Sequence, residues 1–182
     1  FNAAADRDAV SDLLAGRGWL TLATLTTEDV PDEGWAARSQ ANLPAVRVGA
    51  MLAPDALHAR LNALGLDLPR SGGWYGASLA LGSADVTLLA LTNAYRALAN
   101  GGLFTPPALP QGPTAPVRRV ASAAATHLVV DILADNNARV RTFGFDSQLR
   151  TRGFAAVKTG TSKDMRDNWC VGFTDRYTVG VW

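Results

Sequence analysis

The chain has 182 residues, of which 48% are hydrophobic and 18% charged, with a formal net charge of +1. That length and composition suit one folded domain with a sizeable core and exclude a disordered or fibrous chain. A near-neutral balance without a basic cluster excludes nucleic acid as the main partner.

The single cysteine, Cys170, cannot close an internal disulfide, and no Cys/His spacing resembles a metal site. His58 and His127 stand far apart and read as surface or half-buried helix residues. No uninterrupted apolar run of eighteen residues is present, so no transmembrane helix is expected. The first residue is Phe1 and the last, Trp182, falls within a strand-like run, the pattern of an excised piece.

In chain order, residues 8–16 read as a short helix ended at Gly16-Arg17-Gly18. Residues 19–25 form an apolar, Thr-rich connection, and 26–33 a polar loop around Pro31. Residues 34–42 are ambiguous. Pro44 suits the first turn of a helix that runs to Leu52. A second helix starts at Pro54, with Leu57, Leu61 and Leu64 on one face and Gly65 as its stop.

Residues 69–75 read as a Gly-rich loop. Ser83 is the expected N-cap of a helix over 84–99, with Asp85 in its first turn. This helix is apolar nearly all round and expected to be buried on most sides. Asn100-Gly101-Gly102 ends it. Five prolines between 103 and 119 predict an extended loop or short edge strands. Ser122 caps a helix to about Ala134, and 135–152 reads as polar and irregular. Three strand-like runs close the chain: Phe154–Val157 leading into Lys158-Thr159-Gly160-Thr161, then Trp169–Phe173, then Tyr177–Trp182. Helices followed by an antiparallel meander predict an α+β fold.

Lys158-Thr159-Gly160-Thr161 is the stretch with chemistry in it. On a strand, Lys158 and Gly160 share one face, and Thr159 and Thr161 the other. Gly160 leaves room for a ligand or another backbone to approach. A cation, two hydroxyls and a bare backbone edge suit a substrate carrying a carboxylate and a carbonyl. A phosphate-binding loop is excluded, because Lys158 precedes Gly160 and follows a strand, with Gly153 too close before it. Lys-Thr-Gly is one of three motifs of penicillin-binding proteins and class A β-lactamases, and is short enough to arise by chance.

The likeness extends further. Lys158 to Trp169, the following Val-Gly-Phe-Thr and Tyr-Thr-Val-Gly-Val-Trp, the run Leu79 to Gly102, and Asn42-Leu-Pro-Ala-Val-Arg47 together resemble the transpeptidase domain of class A penicillin-binding proteins, the 1C type especially. The resemblance covers roughly residues 34–182. It implies the penicillin-binding-protein/β-lactamase-like fold, as one partial transpeptidase domain. Residues 1–33 would be a divergent N-terminal segment, 34–152 the helical part, and 153–182 the C-terminal sheet strands.

The function it implies is a serine D,D-transpeptidase acting on peptidoglycan stem peptides that end in D-Ala-D-Ala, through an acyl-enzyme that β-lactams imitate. It requires no cofactor and no metal. The parent protein would be membrane-anchored at the periplasmic face of the bacterial inner membrane, normally with a glycosyltransferase domain.

Carried onto this sequence, the resemblance gives Lys158 a role in proton transfer and charge neutralisation. Thr159 and Thr161 would hold the substrate carboxylate beside Gly160, and the Thr161 N–H would form part of the oxyanion hole. The family's Ser-x-Asn motif places its Asn at Asn42. Its Ser position then falls on Gln40, with Ser39 one place early, so Ser39 either fills that role after a one-residue slip or is a helix cap.

The Ser-x-x-Lys motif is absent. The only lysines are Lys158 and Lys163, and positions 155 and 160 are Ala and Gly. Aligning Arg17-Gly18-Trp19-Leu20-Thr21 with the family's post-nucleophile segment puts Ala4 and Arg7 where that Ser and Lys would stand. Ala has no nucleophile, and Arg stays protonated. Two readings of this chain follow: an acylation-incompetent piece of a transpeptidase, or a non-catalytic relative that binds cell-wall peptide or divisome partners. A β-lactamase-like hydrolase is disfavoured on the same grounds.

Overall fold

The computed structural model describes residues 44–108, 115–162 and 165–182. Helix α1 spans Pro44–Met51 and α2 Pro54–Ala63, each opening on the proline that the sequence placed at its start. At that first position a missing N–H costs nothing, since the first-turn amides lack helical partners in any case. Gly65, at φ +82°, turns the chain out of α2.

The stretch expected as a Gly-rich loop instead contains a one-turn helix, α3, Gly72–Tyr75, followed by a 3-10 helix, Gly76–Leu81. Ser71 Oγ accepts from the Trp74 amide and supplies the cap that starts it. Leu68, Tyr75 and Leu79 bury themselves together, with Leu57, Leu61, Leu66, Ala84 and Val86 packed around them. That apolar cluster is what turns a glycine-rich sequence into ordered helix.

The long helix, α4, spans Leu88–Ala99 and not 84–99. Its N-cap is Thr87, whose Oγ1 accepts from the Ala90 amide at 3.1 Å. Ser83 hydrogen-bonds Ser78 instead. Ala84 and Val86 are drawn onto the Leu68–Tyr75–Leu79 cluster, which keeps 84–87 out of the helix. Nor is α4 buried all round: Asn93, Ala94 and Ala97 are buried, while Leu89 is 64% exposed. It ends at Asn100, and Gly101 and Gly102 both take positive φ. At Gly102 the requirement is also spatial, because a Cβ there would collide with the Ala121 carbonyl and the Thr126 hydroxyl.

A two-residue antiparallel ribbon follows, β1 Leu103–Phe104 with β2 Arg118–Arg119, as the proline-rich sequence allowed. Ser122 caps α5, Ala123–Ala134, as expected. Residues 135–152, expected to be irregular, hold an eight-residue helix α6, Asn136–Phe143, capped by Asp135. The guanidinium of Arg139 ties that helix to the carbonyls of Leu133 and Leu149. Both histidines lie on helices, His58 half-buried on α2 and His127 exposed on α5.

The chain closes in an antiparallel meander: β3 Ala156–Thr161, β4 Asn168–Phe173 and β5 Thr178–Val181, in the order β3-β4-β5. The register sets Ala156 opposite Phe173, Lys158 opposite Val171 and Gly160 opposite Trp169. Ala156, Val171 and Phe173 are almost wholly buried. Helix α4 packs across β4 and β5, and α5 against β3. The helices therefore cover the face that carries this row of residues. On the other face Val179 and Val181 stand more than half exposed. The α+β class expected from the order of elements is the one observed. Among the described residues no helix is long and apolar enough to cross a membrane.

Candidate active site

Strand β3 is an edge strand among the described residues, paired with β4 on one side only. Its free edge keeps a row of backbone donors and acceptors open to an extended ligand. The edge borders a cleft of about 500 Å³ lined along one wall by Lys158 to Ser162. Further lining comes from Leu66 and Leu68, from residues 79–82 and 84–86, and from Leu91 and Tyr95 of α4. Asp167, Trp169 and Val171 complete the lining. The volume lies within the range of small-ligand sites.

Alternation along β3 puts Lys158 and Gly160 in the helix-facing row and Thr159 and Thr161 in the other, as the sequence predicted. Both rows reach the cleft because the strand lies at the sheet's edge. Lys158 is exposed, and its Nζ donates to the carbonyl of Thr159, the next residue on its own strand. Across the ladder from Gly160, a Cβ would meet only the Trp169 Cβ, at 3.9 Å. Gly160 is thus not forced by crowding within the sheet, and its openness faces the cleft.

The β3–β4 connection is braced at its base. The Ser162 amide donates to the Asp167 carbonyl at 3.0 Å, and the Asp167 amide donates to Ser162 Oγ at 2.8 Å. The Trp182 indole N–H donates to Asp167 Oδ1 at 2.9 Å. One carboxylate thereby links the start of β4 to the last residue of the chain, and Trp182 lies 6.5 Å from Trp169. These bonds fix the end of β3, where Thr161 stands.

Tyr95 also lines the cleft. Burial, and secondarily the electrostatic influence of nearby Cys170, raise its phenol above the ordinary value of 10.0. It therefore stays neutral at physiological pH. No group of three or more His, Cys, Asp or Glu among the described residues is placed to hold a metal.

Lys158, Thr159, Gly160 and Thr161 come together on one wall of the cleft. Ser39 and Asn42 lie outside the described residues, as do Ala4 and Arg7. Sequence reasoning missed Asp85, Tyr95, Asp167 and Trp169 as members of the site. The only signal for the last two was their position directly after the motif. Asp85 and Tyr95 are brought in by packing that no local pattern shows.

Known proteins resemble this chain in sequence and fold. The penicillin binding protein transpeptidase domain family matches residues 34–181. The chain is 34% identical over 142 residues to penicillin-binding protein 1C of Escherichia coli (strain K12), across 78% of this chain and 18% of the relative. It is 31% identical over 134 residues to penicillin-binding protein 1A of Rickettsia felis, across 57% of this chain and 17% of the relative. The chain thus spans less than a fifth of the length of these curated relatives.

Among solved structures, penicillin-binding protein PonA1 from Mycobacterium tuberculosis superposes with a TM-score of 0.56 at 18% identity, over 74% of this chain and 42% of that one. A peptidoglycan glycosyltransferase from Burkholderia ambifaria gives 0.57 at 19% identity, over 74% and 49%. At these identities the likeness is one of fold.

Proposed function

This chain belongs to the penicillin-binding protein transpeptidase domain family, and from that premise we propose that its β3 edge is the substrate-binding half of a peptidoglycan D,D-transpeptidase site. The observation that carries the proposal is Lys158-Thr159-Gly160-Thr161 on the free edge of a sheet, bordering a cleft of about 500 Å³.

A stem peptide ending in D-Ala-D-Ala would lie along that edge as an added strand. The ammonium of Lys158 and the hydroxyls of Thr159 and Thr161 would take its terminal carboxylate. The Thr161 N–H would face the carbonyl that is attacked, where an amide donor stabilises developing negative charge. In the parent protein a serine would attack that carbonyl and release D-Ala. The acyl group would pass to an amine of a neighbouring strand, and β-lactams would occupy the same groove.

The parent would act at the periplasmic face of the bacterial inner membrane, held by a membrane anchor and accompanied by a glycosyltransferase domain. The relatives matched are bacterial penicillin-binding proteins, which supports that setting. Ser39 and Asn42 would supply the Ser-x-Asn role.

The 182-residue chain itself has no lysine preceded at three residues by serine. Its own activity is therefore binding without acylation. That same observation supports a second reading, in which the parent too is a non-catalytic binder of cell-wall peptide. The test is the affinity of the chain for a peptide ending in D-Ala-D-Ala, measured by titration calorimetry. Lys158→Ala is expected to weaken binding several-fold, as loss of a charge-assisted contact does. Equal affinity in the variant would remove Lys158 from the site.

A further inference from the structure

The cleft has a second charged pole besides Lys158. Asp85 lines the same cleft as Lys158 of β3. It is exposed and has no hydrogen bond or ion pair with any described residue. A role in the start of a helix does not explain it. Helix α4 begins only at Leu88, its cap is Thr87, and the dipole's pull fades within the first turn. Ala84 and Val86 on either side pack onto the Leu68–Tyr75–Leu79 cluster, which fixes the backbone between them. The carboxylate is thus held at the cleft by its neighbours' burial and by no partner of its own.

The other titratable groups that line the cleft are already placed. Asp167 accepts from Trp182, Tyr95 is neutral, and Lys158 belongs to β3. The cleft therefore presents an ammonium from β3 and a free carboxylate from the segment between residues 84 and 86. That is the complement of a peptide with a carboxylate at one end and a cationic side chain further along.

We propose that Asp85 is a specificity-determining residue that selects stem peptides bearing a free side-chain amine, by pairing with that ammonium while the peptide's terminal carboxylate sits at Lys158. The assignment rests on the reading of β3 given above. It adds a requirement on the ligand that the edge strand alone does not impose.

The experiment compares two probes on the full 182-residue chain: Nα-acetyl-Lys-D-Ala-D-Ala, and the same peptide acetylated on the lysine Nε. Affinities are measured at low and at high ionic strength. Because Asp85 is exposed, the preference for the free amine is expected to be roughly two- to fivefold, the scale of an exposed ion pair. It should shrink as salt rises. Asp85→Asn should abolish the preference by weakening only the free-amine peptide, and Asp85→Glu should retain part of it. The exposed position makes misfolding an unsuitable explanation for either result.

Equal binding of the two peptides by the unaltered chain would overturn the assignment. If Lys158→Ala then weakened both alike, the reading of the β3 edge would survive alone. A preference that persists in Asp85→Asn would also overturn it. Binding of neither peptide would sink both readings together.

Discussion

Gly180 of β5 lies directly against Thr92 of α4: a Cβ on Gly180 would collide with the Thr92 hydroxyl and come within 3.1 Å of Leu88 Cδ1. Thr92 Oγ1 is itself held in place by donating to the Leu88 carbonyl at 2.7 Å. The sheet thus meets the long helix at a point where neither side can yield easily. The helix that makes this contact, α4, also carries Leu91 and Tyr95 into the lining of the cleft.

Gly180→Ala is expected to destabilise the fold by about 1–3 kcal/mol, the usual cost of an added methyl in a filled space. Adding Thr92→Ala should recover part of that loss, since it removes the nearest atom. Urea denaturation of the two single variants and the double variant measures the coupling. Additive effects would mean that the two residues do not meet.

The phenol of Tyr95 provides a test by pH. Its folded-state value is raised, by burial first and by the electrostatic influence of Cys170 second. Below pH 10 the side chain is neutral in both states and contributes no pH dependence. Above that, the unfolded chain loses the proton while the folded chain retains it, so stability falls as pH rises toward the raised value. Tyr95→Phe should flatten that part of the alkaline limb of stability against pH. An unchanged limb would show that other groups account for it.

Much of this fold is legible in the sequence because the signals are local. Pro44 and Pro54 mark helix starts, Ser122 marks another, Gly101 and Gly102 mark an end, and period-two runs mark β3, β4 and β5. The departures come from packing. Residues 84–87 have helical composition, yet Ala84 and Val86 are worth more to the Leu68–Tyr75–Leu79 cluster than to an extra helical turn. Helix α6 depends on an Asp135 cap and on Arg139 reaching carbonyls at Leu133 and Leu149, which no periodicity reveals. At the site, the motif residues were legible by chemistry and spacing. Asp85 and Tyr95 were not, because they reach the cleft only through the fold.

Benzylpenicillin should leave the intact mass of the chain unchanged. The expectation follows from two lysines, neither with serine three residues before it. Stable acylation requires a serine activated by a neighbouring base. A stoichiometric adduct on any serine would identify a nucleophile that the motif does not describe, and would overturn the view of this chain as a binder only.

The central claim is that the β3 edge receives the carboxylate end of a peptide. The most direct measurement is amide chemical-shift mapping of the chain with Nα-acetyl-Lys-D-Ala-D-Ala and with its C-terminal carboxamide. With the carboxylate peptide, the amides of Lys158, Thr159, Gly160 and Thr161 should shift most. The carboxamide should shift them far less at the same concentration, and Lys158→Ala should erase the difference. Equal responses to the two peptides, or shifts confined to residues away from the cleft, would contradict the account.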